Sequence, residues 1–360
     1  MPIKWELLVM QICNTTIKLD SQTYNLSQLF SLIDKYVLFN IKQLTKGNNM
    51  NNLKKVGLTA LGTALVASSA QAADFSISAT SQITLAGADN GDKGNGWSMS
   101  DSISFSASGE MDNGMTISHT VELDGSSGVG ANTLSVDTGD MGKLTFIGGS
   151  STSVIGAWDD LTPTANEEAQ GVGYMGSPAG AANGAASTHN IFIYDYTVMD
   201  GLALKAGYTP SHTTGAVDGS VEYGIHYTGV EGLDVYAAMG ENNDASNAAD
   251  TSMMMVKYTA GALSVGYQVN ETDFGTGSVD EDFSAIGVSY AVSDDLSVSF
   301  NTSTIDFEAT TKDDQEATAV SFSHTSGGMT ISGSYGSMDN VNGSATVDNS
   351  AYEINFKFAF

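Results

Sequence analysis

The chain contains no arginine: its 13 basic residues are all lysine, against 41 acidic residues, for a net charge of −28. A bidentate guanidinium clamp for phosphate or carboxylate is therefore missing everywhere, as is the basic footprint that nucleic acid needs. The one cysteine, Cys13, excludes an intramolecular disulfide framework and any multi-cysteine metal centre. Proline is scarce, and Pro163, Pro178 and Pro210 all fall in stretches without strand patterning, so hydrogen-bonded ladders are left intact. No apolar run reaches the roughly 20 residues that a membrane-crossing helix requires. Hydrophobic residues make up only 41% while glycines number 40, which is unlike ordinary soluble globules.

The charge is unevenly placed. Residues 1–72 hold seven lysines and three acids, whereas residues 73–360 hold six lysines and 38 acids, a net charge of −32. At the boundary, Lys54 and Lys55 form a short basic region, 56–67 is apolar, and Ala70 and Ala72 occupy the small-residue positions of a cleavage site. This order identifies 50–72 as a secretory signal peptide. Met50 stands directly before it and is a natural start, so 1–49 is expected to be an upstream extension from a misassigned start.

Beyond Ala73 the apolar residues recur with period two, the mark of strands with two unlike faces. Phe75, Ile77, Ala79, Ile83 and Leu85 alternate with serine, threonine and Gln82, and Leu296, Val298 and Phe300 do the same later. Short turns rich in glycine and Asp recur ahead of Met115, Lys143, Leu202, Leu233, Leu263, Leu296 and Met329. Such residues supply the positive φ that tight hairpins demand. Seven hairpins, an opening strand at 74–86 and a closing one at 349–360 make about sixteen strands, consistent with an outer-membrane barrel. The connections opposite the turns are longer and polar, and the one from about Ser150 to His189 is far the longest. The fold class is thus all-β, a transmembrane antiparallel up-and-down β-barrel. Closure follows because unpaired strand edges in lipid cost several kcal/mol per group.

These residues resemble the trimeric general porins of Gram-negative outer membranes, over essentially all of 73–360. Asp140-Met141-Gly142-Lys143-Leu144-Thr145-Phe146-Ile147-Gly148 is similar to the family's glycine-flanked turn and strand before its third loop. Asn190 to Asp195, continuing to Asp200-Gly201-Leu202, is similar to the strand after that loop. Tyr352, Ile354, Phe356, Phe358 and the final Phe360 resemble the C-terminal signal read by the barrel-assembly machinery. The resemblance implies a homotrimer in outer-membrane lipid and lipopolysaccharide, an inward-folded long third loop, and passive diffusion of small hydrophilic solutes. Two departures stand out: Gly149 and Ile193 occupy positions where the family commonly has arginine.

The third loop carries Asp159, Asp160, Glu167 and Glu168, expected to line a constriction that gathers cations and repels anions. Loop solvation is the alternative for these carboxylates. Lys143, Lys205, Lys257 and Lys357 lie on the strand phase opposite the lipid-facing residues and are expected to point into the lumen near the short-turn end. Tyr208, Tyr258, Tyr352, Phe356, Phe358 and Phe360 suit an interfacial aromatic girdle. Acidic stretches such as Asp280-Glu281-Asp282 and Asp313-Asp314 could take Ca²⁺ or Mg²⁺, directly or in bridging to lipopolysaccharide, although none has EF-hand spacing. No cofactor is expected. His119, His189, His212, His226 and His324 lack metal-site spacing and no nucleophile elbow occurs, so an enzyme is not expected. The expected function is a cation-preferring diffusion channel. A plugged barrel or a surface adhesin is the alternative.

N-terminal sequencing of the native protein is expected to begin at Ala73. A mature chain starting well upstream would remove both the signal peptide and the misassigned start.

Overall fold

The computed structural model describes residues 17–19, 22–24, 74–89, 96–125, 128–148, 153–159, 161–173, 190–211, 219–243, 248–275 and 279–360. The proposed signal peptide, with Ala70 and Ala72, lies outside the described residues, as do Asp160, His189 and His212. The chain divides into two units, Met1–Ser69 and Ala70–Phe360. In the first, the described residues form a short antiparallel pair, Ile17–Leu19 with Gln22–Tyr24.

The second unit is a closed barrel of sixteen antiparallel strands in which sequence neighbours are spatial neighbours throughout. They are β1 (Asp74–Ala88), β2 (Trp97–Glu110), β3 (Thr116–Asp124), β4 (Val129–Asp137), β5 (Lys143–Ile147), β6 (Ile191–Met199), β7 (Leu202–Thr209) and β8 (Ser220–Val230). There follow β9 (Leu233–Asn242), β10 (Ala249–Ala260), β11 (Leu263–Phe274), β12 (Glu281–Ala291), β13 (Leu296–Phe307), β14 (Gln315–Ser326), β15 (Met329–Asp339) and β16 (Asn349–Ala359). Six of the seven strands after short turns begin at the residue expected from sequence; the other begins at Thr116, one residue past Met115. Gly114, Gly201, Gly232 and Gly261 hold positive φ in these turns, which explains why glycine stands there. The longer connections all fall at the opposite end, and the longest, 148–190, joins β5 to β6.

The last strand closes on the first, in register from Ala351 opposite Ala88 to Ala359 opposite Thr80. Phe360 extends the ladder, donating from its N–H to the Ala79 carbonyl at 2.9 Å and accepting from the Ala79 N–H at 3.3 Å. Every strand of the barrel thus has a hydrogen-bonded neighbour on both sides.

Each strand separates its two faces. In β11, Val265 and Tyr267 are exposed while Gly266, Gln268, Asn270 and Thr272 are buried. In β13, Val298 and Phe300 are exposed while Ser299, Asn301 and Ser303 are buried. Large apolar side chains exposed on one face, with small or polar ones on the other, are the inverse of a soluble protein and suit a wall with lipid outside. The clusters of buried apolar residues lie on the polar, inward face, where the long connection covers the wall.

Because every strand has two partners, proline anywhere in the ladder removes a hydrogen bond. Ile83→Pro, opposite Phe356 and Met99 in the closing strands, should abolish the compact form. The expected readout is loss of the fast-migrating band in unheated denaturing gels.

Candidate functional site

The long connection between β5 and β6 is described over 153–159 and 161–173, and its placement rests on the inward residues of β7 to β16. It begins as one tight turn, with Trp158 N–H donating to the Ile155 carbonyl at 2.7 Å and Ala157 N–H to that of Ser153 at 3.1 Å. The first N–H groups of such a turn have no partner within it. Glu222 of β8 supplies one: its carboxylate accepts from Val154 N–H at 2.5 Å and from Ile155 N–H at 3.1 Å. Trp158 then packs on Tyr236 with ring centroids 5.4 Å apart, in a cluster with Ala238, Met253 and Met255.

From there the segment is handed along the wall. Gln268 Nε2 donates to the Asp159 carbonyl at 2.6 Å and Asn301 Nδ2 to the Pro163 carbonyl at 3.0 Å. Asn166 reaches Ser334 and Glu353, each at 2.8 Å, and Gly173 N–H donates to Glu353 at 3.2 Å. Ala169 and Val172 pack against Ala317, Ala319, Met338 and Ala351. Inward glycines leave room for this path. A Cβ on Gly224 would lie 2.1 Å from the Trp158 ring, and one on Gly266 would lie 2.3 Å from Pro163.

The four acids expected from sequence are therefore not equivalent. Glu168 is buried and accepts hydrogen bonds from both the N–H, at 3.0 Å, and the hydroxyl of Thr162, a staple within the segment. Asp159 and Glu167 are partly exposed, and their backbone carbonyls are held by Gln268 and Ser321. Glu222 and Glu353 were not singled out from sequence, because each is one polar residue in a strand that alternates in the usual way. The available signal was a glutamate among inward positions that elsewhere hold serine, asparagine or glycine.

The lysines fall on the inward phase, and two are matched by acids. Lys205 Nζ is 3.3 Å from Asp195, and Lys143 sits opposite Asp195 in the ladder. Lys257 Nζ is 3.5 Å from Asp234, which also meets His226 Nε2 at 3.2 Å. Lys205 further stands over the Trp158 ring at 5.8 Å. Lys357 lies opposite Gln82 and is exposed. Ile193, at a position where arginine was the family expectation, is buried on the inward phase and pairs with Thr145 and Gly207.

The sector from β1 to β4 carries inward side chains of another kind. One row across the strands reads Ser76, Ser106, Thr120, Thr133, and the next reads Asp74, Ser108, Ser118, Ser135. Ser106 and Thr120 hydroxyls are 3.0 Å apart, and Ser102 donates to Glu122 at 2.5 Å. These residues are partly or fully exposed, whereas Ser299, Ser321 and Ser334 across the barrel are buried under the long connection.

Tyr352, Ile354, Phe356 and Phe358 share the outward phase of β16, and Phe360 is 81% exposed. Tyr208 and Tyr258 are also outward and exposed. At the long-connection end of the outward face, Asp282 stands between Glu271 and Asp306 in the ladder, whereas Glu281 falls on the inward phase. Asp313 and Asp314 are exposed in the connection before β14. Among the described residues no group of three or more His, Cys, Asp or Glu could hold a metal ion. His119 meets Asn132 at 2.9 Å on the outward face, and His324 meets the Asp295 carbonyl at 3.2 Å.

The family model described as Gram-negative porin matches residues 57–360. No curated protein matches the sequence. Among solved structures, the chain is similar to an anion-selective porin from Comamonas acidovorans, with 14% identity, a TM-score of 0.60, and 80% of this chain and 100% of that one covered. It is similar to the trimer form of OmpT, an outer membrane protein of Vibrio cholerae, at 16% identity and a TM-score of 0.61 over 81% of this chain and 100% of that one. A substituted Rh. blastica porin matches at 17% identity and a TM-score of 0.58 over 80% of this chain and 100% of that one. With the closed sixteen-stranded wall and its apolar outer face, the family match makes this chain a member of the Gram-negative porins, a multi-pass β-barrel of the outer membrane that forms a channel for solutes.

Proposed function

We propose that residues 153–173 run inside the barrel as the constriction of a cation-preferring diffusion channel for small hydrophilic solutes. The observation that carries this is their chain of contacts to inward residues of β8 through β16, from Glu222 to Glu353. The sign of selectivity must come from the lining, since an anion-selective porin shares the fold. Here the lining has no arginine, Lys205 and Lys257 are matched by Asp195 and Asp234, and the loop carries the acids Asp159, Asp160 and Glu167. A carboxylate within about 4 Å of a passing ion contributes on the order of 1 kcal/mol even in water, enough for a several-fold preference.

We further infer a homotrimer. OmpT of Vibrio cholerae is solved as a trimer, and the outward face of β1 to β4 breaks the apolar belt with Ser81, Asp101 and the His119–Asn132 hydrogen bond. Outside this sector, lipid and lipopolysaccharide are the expected surroundings, and the aromatic end of β16 is the expected signal to the barrel-assembly machinery. The outward rim acids offer divalent cations that bridge to lipopolysaccharide a diffuse attraction rather than a formed site. Residues 50–72 remain the proposed signal peptide and 1–49 the proposed upstream extension.

Reversal potentials in a salt gradient across planar bilayers should report cation preference. The combination Asp159→Asn, Asp160→Asn and Glu167→Gln should reduce it several-fold, and an unchanged potential would remove these acids from the mechanism. Glu168→Gln alone should leave the potential near that of the native channel, because this carboxylate is engaged by Thr162.

The seat of the segment has its own test. Gly224→Leu places a side chain where Trp158 now packs, so the turn must move away from the wall into the passage. Single-channel conductance should fall while the compact gel band persists.

A further inference from the structure

Among the described residues, the part of the inner wall under 153–173 and the part from β1 to β4 differ in chemistry. Under 153–173 several of the wall's polar groups are engaged by the segment: Ser299 by Ala165 N–H, Ser334 by Asn166 and Glu167, and Asn301 by Pro163. From β1 to β4 the inward hydroxyls form a repeated two-dimensional array, two to four across and partly exposed. Acids fringe this array, with Asp74 and Asp137 towards the short turns and Glu122 and Asp124 towards the other end. Its centre, Ser106, Ser108, Ser118, Thr120, Thr133 and Ser135, contains no charge and no large apolar group.

We infer that this hydroxyl face is a specificity surface for neutral polyhydroxylated solutes such as small sugars, which it favours over zwitterions and anions of equal size. The inference rests on the channel reading above and adds a solute class to it. A hydroxyl is one donor and two acceptors and rotates freely, so it can exchange hydrogen bonds with a sugar hydroxyl in either role. Neighbouring strands lie about 4.8 Å apart and same-face residues about 6.8 Å apart along a strand, a mesh on the scale of a hexopyranose ring. A solute crossing such a mesh can trade one partner for the next without losing all of them, and without meeting a fixed charge it must match. A carboxylate-bearing solute, by contrast, finds no guanidinium to receive it and is repelled by the fringing acids.

The test compares sugar influx, from swelling of proteoliposomes, with potassium conductance of the same protein in planar bilayers. Removing the hydroxyls at constant charge, through Ser106→Ala, Ser108→Ala, Ser118→Ala, Thr120→Val, Thr133→Val and Ser135→Ala, should lower the ratio of sugar influx to conductance about threefold or more, the size of one net hydrogen bond. An unchanged ratio would overturn the specificity surface while leaving the channel standing. Absence of stepwise conductance from the native protein would instead overturn the channel itself, and the specificity surface with it. Should the sixfold variant fail to fold, Ser106→Cys decides, because the barrel strands contain no cysteine. A cationic thiol reagent should modify it and lower conductance in a step, with protection by added sugar. The outward-facing Ala107→Cys should give no such step. A Ser106→Cys channel unaffected by the reagent, or unprotected by sugar, would refute the assignment.

Discussion

Everything in this molecule depends on pairing backbone groups that have no water to bond. In the hydrocarbon layer an unpaired N–H or C=O costs several kcal/mol, so a sheet can cross it only by meeting itself. The pairing of β16 with β1, extended by the Phe360–Ala79 bonds, satisfies that demand. An even number of antiparallel strands then sends all short turns to one end and all longer connections to the other. A closed wall of sixteen strands also encloses more space than its inward side chains fill. Residues 153–173, between β5 and β6, pack against inward residues of that wall.

How that segment is held shows what an arginine-free chain does instead. Buried carboxylates usually need a cation or several hydrogen bonds. Here Glu222 receives two backbone N–H groups, Glu353 receives Gly173 N–H and two asparagine side chains, and Glu168 receives Thr162 twice. Hydrogen bonds to a charged group contribute about 1.5–3 kcal/mol each, so these contacts can fix the loop without a basic wall. The same acids that look like surplus charge in the composition are in part the fastenings of residues 153–173. Two of the lysines are drawn into pairs near the short-turn end, Lys205 with Asp195 and Lys257 with Asp234.

Much of the wall was legible in the residue order, for a physical reason. A strand with lipid on one side and water on the other must alternate, and a two-strand hairpin must turn on glycine or Asp, so Asp200-Gly201 and Glu231-Gly232 mark strand starts almost to the residue. The site was less legible. Asp159, Asp160, Glu167 and Glu168 look alike in a line of text, yet Glu168 is turned inward on Thr162 while Asp159 and Glu167 stay partly open. Glu222 and Glu353 were hidden because alternation alone reads them as two more wall residues. Gly224 and Gly266 gave no local sign of a role, since the room they leave for Trp158 and Pro163 exists only once the segment meets the wall.

The amino-acid order by itself determined the strands, their faces, their number and the sign of the net charge, because period-two patterning and turn chemistry act over neighbours a few residues apart. Only the tertiary structure decided which acids fasten residues 153–173, which lysines are matched, and which strands that segment lies against. Those outcomes require Glu222 to meet Val154 and Glu353 to meet Gly173, contacts spanning 68 and 180 positions. Such contacts come into being only when the barrel closes and gives the segment a wall to lie on.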